Sequence, residues 1–341
     1  MRLMKWAATA AVVMAALLAS PAEAQQAKPE KTDIKLAVGG KPLLYYLPLT
    51  IAERKGFFKE EGLNVEISDF AGGAKSLQAL IGGSADVVTG AFDHTIQMQA
   101  KGQPITAVVL LGRYPGIVLG LTKEAAAKYK SPKDLKGMKI GVTAPGSSTN
   151  FMVNYMLAKE GLKPEDVSFI GVGGGPAAVA AMKRGELDGI SNLDPVITQL
   201  ERAGDIVAVA DTRTTEGSSQ VYGGPYPAAV LYTTPEFITK NPNTVQALTN
   251  AFVKTLKWLQ TAKTEEIVAA LPEEYFLGDR ALYTQALERS KPTYSPDGTF
   301  TKEGAENAAK VLSGFDPAVA KAQIDLSKTY DDRFVKKALG R

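Results

Sequence analysis

Residues 71–88 (AGGAKSLQALIGGSADVV) and residues 173–190 (GGGPAAVAAMKRGELDGI) carry the same pattern, offset by 102 positions. In each copy a glycine pair precedes an apolar run, and a glycine and an aspartate, Asp86 or Asp188, come before a second apolar run. Upstream of each copy, residues 35–38 (KLAV) and 139–142 (KIGV) have the composition of short strands. A unit of strand, glycine-rich turn, helix and strand that occurs twice predicts two α/β lobes. The glycine-rich turns are expected to face the cleft between them.

The length and composition agree with two lobes and narrow the class of protein. A chain of 341 residues exceeds the usual size of a single core, and 45% hydrophobic with 22% charged residues is an ordinary globular balance. The net charge of +3 comes from scattered basic and acidic residues, which argues against nucleic-acid binding. Without cysteine and with one histidine, the chain offers no disulfide, no thiol nucleophile and no histidine-rich metal site. We therefore expect no cofactor.

The N-terminus has the features of an export signal. Arg2 and Lys5 precede an uncharged run over residues 6–19, and the small residues Ala22 and Ala24 suit a cleavage site. No later stretch approaches the roughly 20 apolar residues of a membrane-spanning helix. The sequence predicts a signal peptide over residues 1–24 and a soluble mature protein that is exported to the periplasm.

The hydrophobic pattern places the predicted elements in two groups. Strands are predicted at 34–38, 63–67, 86–89 and 105–111, then at 117–121, 138–142, 167–170, 189–190 and 206–210, and finally at 226–233. Helices are predicted at 49–55, 74–81, 94–100, 149–160, 176–184 and 195–203, and a long helix begins at Pro242. The apolar face of that long helix, which includes Leu248, Phe252 and Leu256, is expected to cover the sheet of the first lobe.

These groups give the expected domain limits. Residues 32–116 and 228–341 would form the first lobe, and residues 117–227 would form the second. The chain would cross between the lobes near residues 112–122 and 222–232, and two such crossings permit a hinge.

Three turns are candidates for binding an anionic group. They contain Gly72, Gly73 and Ala74; Ser147, Ser148, Thr149 and Asn150; and Gly174 with its glycine neighbours. Exposed backbone N–H groups and the helix dipole favour anions at helix N-termini. The alternative for each turn is structural, because glycine also permits tight turns and Ser or Thr also caps helices. No turn matches a nucleotide-binding fingerprint.

Polar and aromatic residues near the predicted cleft form a second set of candidates. Lys41 could supply charge and Tyr45 or Tyr46 a hydrogen bond, although packed rings and a solvated lysine are equally ordinary. Arg113, at a predicted crossing, could clamp a sulfonate, carboxylate or phosphate, unless it is a surface arginine.

Two aspartates stand at comparable places in the two lobes, where a strand gives way to a helix. Asp194, followed by Pro195, could cap its helix or face an ammonium or hydroxyl group of a ligand. Asp93 follows Phe92, which is a candidate for the cleft wall, and precedes His94, which is expected to be an ordinary helix-start residue.

One stretch resembles a known family. Residues 48–65 (PLTIAERKGFFKEEGLNV) look like the opening motif of substrate-binding proteins of ABC transporters for nitrate, sulfonate and taurine, a class with thiamine-precursor-binding relatives. Residues 72–73, 83–86, 134–142 and 185–188 recur in the order of that family. The resemblance covers the mature chain to about residue 240.

The resemblance implies a type II periplasmic binding fold, in which two lobes close on a ligand and the closed form is presented to a membrane permease. It also implies a monomer. By position, the ligand-contacting loops of the family fall at Lys41, Leu44, Tyr45, Tyr46, Gly72, Gly73, Ala74, Phe92, Asp93, Arg113, Ser147, Ser148, Thr149, Asn150, Gly174 and Asp194.

The expected function is therefore that of a periplasmic solute receptor for a small organic anion of the sulfonate, taurine, nitrate or carboxylate type. One alternative is a receptor for a neutral or cationic heterocycle, such as a pyrimidine precursor of thiamine, recognised by Asp194 and Tyr45. The sequence does not distinguish this transport role from a sensory role, in which the same cleft binds a ligand for a membrane receptor. An enzyme on the same fold is disfavoured, because the pyrimidine synthases related to this family carry a cysteine-rich motif that is absent here.

Overall fold

The computed structural model of the chain describes residues 28–341, so the predicted signal peptide at residues 1–24 lies outside the described residues. The strands are β1 (Asp33–Val38), β2 (Asn64–Asp69), β3 (Val87–Ala91), β4 (Thr106–Leu110), β5 (Val118–Leu121), β6 (Lys139–Val142), β7 (Ser168–Gly171), β8 (Gly189–Asn192), β9 (Val207–Asp211) and β10 (Ala229–Thr233).

The helices of the N-terminal two thirds are α1 (Leu47–Arg54), α2 (Phe57–Glu60), α3 (Gly73–Ile81), α4 (Asp93–Ala100), α5 (Lys123–Lys128), α6 (Ser148–Lys159), α7 (Pro176–Lys183), α8 (Val196–Ala203) and α9 (Thr215–Tyr222). The remaining helices are α10 (Pro235–Lys240), α11 (Pro242–Thr261), α12 (Thr264–Ala269), α13 (Arg280–Ser290), α14 (Lys302–Ser313), α15 (Pro317–Lys321) and α16 (Arg333–Ala338). Each predicted strand and helix is present, with ends that differ by at most three residues.

Two five-stranded sheets with the same arrangement form the two lobes. The first has the order β2-β1-β3-β10-β4 and the second the order β7-β6-β8-β5-β9. In each sheet the first three strands are parallel, and the fourth strand runs antiparallel to both its neighbours. The predicted two-lobed α/β fold is confirmed.

In each sheet, the fourth strand is the one that the chain forms directly after it has crossed from the other lobe. β5 follows β4 in the chain but pairs with β8 and β9, and β10 follows α9 but pairs with β3 and β4. The chain therefore passes between the sheets twice, and the limits proposed from the sequence, at residues 116–117 and 227–228, fall in these two connecting stretches. Two connections of this kind allow the lobes to move about a hinge.

The repeated aspartates have a structural role. The Asp86 carboxylate accepts a hydrogen bond from the backbone N–H of Lys35 at 2.9 Å, and that of Asp188 accepts one from the backbone N–H of Lys139 at 2.7 Å. Each bond ties the residue that precedes β3 or β8 to the neighbouring parallel strand, β1 or β6, and satisfies a backbone donor of that strand.

The long helix α11 covers the first lobe, as its pattern predicts. Leu248, Phe252 and Leu256 are fully buried, and α11 packs against α1, α2, α16 and β4. The Phe252 and Phe58 rings meet edge to face at 5.4 Å, and burying a side chain of this size contributes about 1.5–3 kcal/mol. Within residues 28–341, no helix combines the length and the apolar character that crossing a bilayer requires.

The C-terminal helices also reach the second lobe, which the sequence did not predict. α13 packs against α8, and α14 contacts α6. The guanidinium of Arg289 in α13 lies 3.0 Å from the Glu201 carboxylate in α8, and that of Arg202 lies 3.8 Å from the Asp279 carboxylate. The C-terminal segment therefore joins the two lobes along one side.

Candidate functional site

A small cavity lies between the lobes, where the carboxyl ends of strands from both sheets meet. The residues that line it come from both lobes: Gly39, Leu43, Tyr45, Tyr46, Gly73, Ala91, His94, Ile117, Thr143, Ser147, Ser148, Thr149 and Leu193. The free volume is about 20 Å³, room for roughly one water molecule. In α/β proteins the crevice at the carboxyl ends of the strands is the usual place for a ligand.

The cavity is small because the lobes touch each other across it. The backbone N–H of Leu44 donates to the Asp194 carbonyl at 2.9 Å, and the backbone N–H of Ala74 donates to Ser147 Oγ at 3.0 Å. The structure therefore represents a closed arrangement of the lobes. A ligand of several heavy atoms requires them to separate.

Two glycines allow this close approach. A Cβ atom at Gly174 would lie 2.5 Å from Cδ1 of Leu43 on the opposite lobe, and a Cβ atom at Gly72 would lie 3.0 Å from Ala144. Any larger residue at Gly174 would push Leu43 away. The role of these turns in the closed form is thus steric, whatever they contribute to binding.

The N-termini of α3 and α6 face each other at the cavity. Gly73 begins α3 and Ser148 begins α6, and both residues line the cavity. Among the described residues, the Ser148 hydroxyl is shielded from solvent and has no hydrogen-bond partner. Two helix dipoles and an unpaired hydroxyl make this end of the cavity favourable for an acceptor or anionic group.

The neighbouring hydroxyls of α6 are already paired. Thr149 Oγ1 accepts from the backbone N–H of Thr143 at 3.1 Å and lies 2.9 Å from Thr143 Oγ1. Asn150 Oδ1 accepts from the backbone N–H of Gly146 at 3.0 Å, and Asn150 does not line the cavity. These residues shape the turn before α6.

Asp93, the first residue of α4, is buried beside the cavity and incompletely paired. It is 1% exposed, and its Oδ2 accepts a hydrogen bond from the Tyr226 hydroxyl at 3.3 Å, whereas Oδ1 has no partner among the described residues. Burial, together with the Asp93 charge, raises the pKa of Tyr226 well above its ordinary value, so this tyrosine keeps its proton and donates. An unpaired buried acceptor costs about 1–3 kcal/mol, a cost that a donor group on a ligand would remove.

His94 follows Asp93 and connects the lobes. It is fully buried, and its Nε2 lies 3.3 Å from the Gly146 carbonyl of the second lobe, which assigns the proton to Nε2. Nδ1 lies 3.5 Å from the Tyr232 hydroxyl. Burial lowers the pKa of His94, against the opposing effects of Asp93 and Gly146, so the imidazole is neutral near pH 7.

The Asp194 side chain is bonded within the protein, in keeping with the structural one of its two interpretations. Oδ1 accepts from the backbone N–H and the hydroxyl of Thr198 at 2.9 and 2.7 Å, and Oδ2 lies 3.2 Å from Nη1 of Arg213 and 3.4 Å from Ser290 Oγ. Both oxygens are occupied within the protein, and the bonds to Thr198 secure the first turn of α8. Asp194 contributes its backbone carbonyl to lobe closure, while its side chain is structural.

Arg213 is the centre of a buried cluster that the sequence did not indicate. Its guanidinium, with a side chain 7% exposed, contacts Asp194, Glu201 and Asp211 at 3.2, 3.2 and 2.6 Å. Burial acts to lower the pKa of Arg213, but the hydrogen bonds to Asp211 and the three carboxylates outweigh it and raise that pKa. The cluster fixes the end of β9 against α8.

Three other predicted contacts lie away from the cavity. The Lys41 ammonium is paired with Glu53 at 2.7 Å, and the Phe92 ring packs against Phe300 in the core at 5.7 Å. Arg113 Nε donates to the Pro292 carbonyl at 2.9 Å, and this side chain is exposed on the connecting stretch. Each of these side chains has a partner that directs it away from the inter-lobe cavity in this closed arrangement.

The remaining candidates border the cavity or its closure. Tyr45, Tyr46, Gly73, Ser147, Ser148 and Thr149 line it, while Leu44, Gly72, Ala74 and Gly174 lie in the contacts between the lobes. The sequence reasoning did not name seven of the lining residues as ligand contacts: Gly39, Leu43, Ala91, His94, Ile117, Thr143 and Leu193. The strand-end position of Thr143 was the available signal, because it follows β6 immediately before the Ser147 turn.

Solved structures of known proteins are similar to this chain in sequence, in fold or in both. A solved structure from Bordetella bronchiseptica RB50 is 54% identical, has a TM-score of 0.89, and matches over 92% of this chain and 99% of that one. The alkanesulfonate-binding protein SsuA from Xanthomonas axonopodis pv. citri, bound to MOPS, has a TM-score of 0.67 at 17% identity over 89% of this chain and 99% of its own. The fold is that of periplasmic binding proteins.

Two curated relatives differ in the kind of protein that their names describe, a binding protein and an enzyme. The putative binding protein YtlA of Bacillus subtilis strain 168 is 25% identical over 74% of this chain and 75% of its own. A 4-amino-5-hydroxymethyl-2-methylpyrimidine phosphate synthase of Schizosaccharomyces pombe is 32% identical, over only 42% of this chain and 40% of the enzyme.

The model of the NMT1-like family matches residues 27–272, which include both sheets and the inter-lobe cavity. The chain therefore belongs to the NMT1-like family.

Proposed function

We propose that this protein is the solute-binding component of an ABC importer, which captures a small polar organic molecule between its lobes. The observation that carries the proposal is the cavity between two hinged lobes, which is lined by Ser148 of the second lobe, with its unpaired hydroxyl, and by His94 of the first, the neighbour in sequence of Asp93 with its unpaired carboxylate oxygen. A ligand that pairs these atoms favours a bound arrangement in which the lobes enclose it and stand farther apart than in this structure, by its differential affinity for that arrangement.

One end of the proposed ligand is an anionic or accepting group, such as a sulfonate or carboxylate. It would lie between the N-termini of α3 and α6 and accept from the Ser148 hydroxyl. With Arg113 and Lys41 directed elsewhere, this recognition rests on hydroxyls and backbone N–H groups rather than on a guanidinium clamp.

The other end of the proposed ligand carries a hydrogen-bond donor, such as an ammonium group. Asp93 Oδ1 is the buried acceptor that such a group would satisfy, and the tyrosines around it would enclose the body of the ligand. An aminosulfonate or amino acid of the taurine type combines both ends. The alkanesulfonate-binding relative with MOPS holds a sulfonate that also bears an amine.

A second candidate ligand, an amino-substituted heterocycle of the pyrimidine type, is favoured by the same Asp93 oxygen. Its ring N–H or amino group would donate to Asp93, and its ring nitrogens would accept at the Ser148 end. In either case the protein acts as a monomeric periplasmic receptor that delivers the ligand unchanged to a membrane permease.

Matched pairs of compounds test the proposal. The mature protein, freed of copurified ligand, is heated with taurine or ethanesulfonate, β-alanine or propionate, and an aminopyrimidine or its hydroxypyrimidine counterpart. A ligand at about 100 times its Kd adds roughly 2.7 kcal/mol of stability, which raises the unfolding midpoint. We expect the amine-bearing member of one pair to give the larger shift, with unchanged ligand recovered by mass spectrometry.

Two results would overturn the proposal. Chemical conversion of a bound compound by the purified protein would make it an enzyme. Preference for the amine-free member of every pair would remove the role of Asp93 as an acceptor for the ligand.

A further inference from the structure

A second cavity, here called the hinge pocket, lies on the connecting stretches and shares no lining residue with the inter-lobe cavity. Its volume is about 310 Å³, within the usual range for small-molecule sites. Its walls are Leu110, Arg113, Tyr114, Thr215, Ser218, Ser219, Gly224, Pro225, Tyr226, Pro227, Ser295, Pro296, Asp297, Thr299 and Thr301.

The walls belong to parts of the chain that move relative to each other when a hinge bends. Leu110 ends β4 in the first lobe, Ser218 lies in α9, and Arg113 and Tyr226 lie on the two connecting stretches. The Tyr114 hydroxyl lies 2.5 Å from Thr215 Oγ1 and closes one side of the pocket. An occupant therefore contacts both lobes in the arrangement seen here.

Arg113 supplies an available positive charge. Its Nε bond to Pro292 and its backbone N–H bond to the Thr293 carbonyl at 2.7 Å hold the side chain at the pocket, with the guanidinium 4.9 Å from the Tyr114 ring. Within residues 28–341, no carboxylate is in ion-pair distance of it. The two terminal nitrogens remain able to bind an anionic group.

Asp297, the one carboxylate among the residues that line the hinge pocket, already has hydrogen-bond and ion-pair partners. Asp297 Oδ1 accepts from the backbone N–H and the hydroxyl of Thr299 at 3.0 and 2.7 Å, and Oδ2 lies 3.6 Å from Nη1 of Arg341. Asp297 therefore opposes an anion at Arg113 only weakly.

Ser218 supplies an independent buried donor. It is 1% exposed, lines the pocket, and its hydroxyl has no hydrogen-bond partner among the described residues. An unpaired buried hydroxyl is uncommon in folded proteins, which makes Ser218 a candidate donor to an acceptor on an occupant. Leu110, Pro225 and Pro296 provide apolar surface beside it.

We propose that the hinge pocket is a second binding site, which takes a small organic monoanion with an apolar body, the anionic group at Arg113 and an acceptor near Ser218. Tyr226 connects this site to the first, because it lines the hinge pocket and donates to Asp93, which directly precedes His94 in the lining of the inter-lobe cavity. Occupancy of the hinge pocket thus favours the arrangement of the lobes seen here and weakens binding of a larger ligand in the inter-lobe cavity, and the converse holds by thermodynamic linkage.

Three compounds of similar shape and different charge test the site. Benzoate, benzyl alcohol and benzamidinium are titrated into the isotope-labelled mature protein at constant ionic strength, and backbone amide resonances are followed by NMR. We expect saturable shifts with benzoate at millimolar concentration in residues 113–114, 215–219, 224–227 and 295–301, weaker shifts with benzyl alcohol, and none with benzamidinium. Shifts at residues 73–74 and 147–149 would report the inter-lobe cavity and bear only on the function proposed above.

Variants separate the site from surface effects. Arg113→Gln should weaken benzoate at least about tenfold, since it removes a charge-assisted hydrogen bond. Ser218→Ala should bind benzoate nearly as the parent does, because the carboxylate of benzoate lies at Arg113, but it should weaken 4-acetylbenzoate, whose carbonyl is a second acceptor. The exposed Arg184→Gln is the control with no expected effect. The proposal is overturned if benzoate shifts no hinge-pocket resonance, if the three compounds act alike, or if Arg113→Gln binds benzoate as the parent does.

Discussion

Asp93 and Asp194 stand at corresponding places in the two lobes, each after the third parallel strand of its sheet, yet their surroundings differ. Asp194 has both carboxylate oxygens bonded, to Thr198, Arg213 and Ser290. Asp93 has one bond, from Tyr226, and one oxygen without a partner. Equivalent positions in a repeated unit have thus taken different roles.

This difference separates a group that stabilises the fold from one that is available to a ligand. A buried ion pair that is broken leaves an uncompensated charge, whereas a buried acceptor without a partner already carries its desolvation cost. Substitutions at the two positions should therefore affect different measurements: stability at Asp194 and binding at Asp93.

The largest expected effect is the loss of stability on Asp194→Asn. The change removes the charge that faces Arg213, and breaking a buried pair costs about 3–5 kcal/mol, with the lower end expected because Glu201 and Asp211 remain. Urea unfolding of the ligand-free protein measures the change. The control is Asp279→Asn, whose exposed pair with Arg202 should contribute less than about 1 kcal/mol. Equal losses in the two variants would contradict a structural role for Asp194.

The next effect is on binding, in Asp93→Asn. The substitution keeps the shape of the side chain but replaces the charged acceptor, so an amine-bearing ligand should bind about 10- to 100-fold more weakly. The amine-free partner of the pair should bind as before, and stability should change by less than about 1 kcal/mol. Titration calorimetry with both compounds measures this. Equal weakening of the two compounds would show a general disturbance of the cavity instead.

A smaller effect is expected for Ser148→Ala. The hydroxyl has no partner within the described part of the chain, so its removal should leave stability unchanged. Affinity for a sulfonate or carboxylate ligand should fall about 2- to 12-fold, the equivalent of about 0.5–1.5 kcal/mol. Thr149→Val is the matched control, because its hydroxyl is bonded to Thr143 and its loss should lower stability. A Ser148→Ala variant with normal affinity would exclude the hydroxyl from recognition.

The smallest effect concerns the pH dependence contributed by His94. Burial lowers the pKa of His94 in the native protein, so below about pH 6.5 the unfolded state binds a proton that the native state excludes. This term therefore lowers native stability as the pH falls from about 6.5, by at most about 1.4 kcal/mol per pH unit. Urea unfolding of the parent and of His94→Gln is compared at pH 7.5 and pH 5.5, about one unit either side of pH 6.5. The difference between the two proteins isolates the contribution of His94 to the pH dependence of stability. An identical pH dependence in the two proteins would contradict the assignment.

The sequence predicted the two lobes because the repeated unit is local. Strand, turn and helix follow one another within each copy, and the repeated Asp86 and Asp188 bond the same backbone position in both sheets. The expected lobe limits placed β5 in the second lobe and β10 in the first, but the antiparallel pairing of each as the fourth strand of its sheet was not predicted, since it joins residues far apart in the chain. Hydrophobic pattern specifies a strand but not its neighbours.

The site was only partly predictable for a similar reason. The turns at Gly73 and Ser148 were recognisable because helix N-termini have local signals. The direction of Arg113 depends on the Pro292 carbonyl, 179 residues away, and the pairing of Asp194 depends on Arg213. A single sequence therefore named both aspartates as candidates but could not distinguish their roles.

The most direct test of the central claim is the affinity of the best-bound member of the ligand panel for the parent protein and for the Asp93→Asn and Ser148→Ala variants, measured by titration calorimetry. Both variants should fold with parental stability and bind the compound more weakly, with Asp93→Asn losing more for an amine-bearing compound. Parental affinity in both variants would contradict the claim that the inter-lobe cavity recognises the ligand through its unpaired polar atoms.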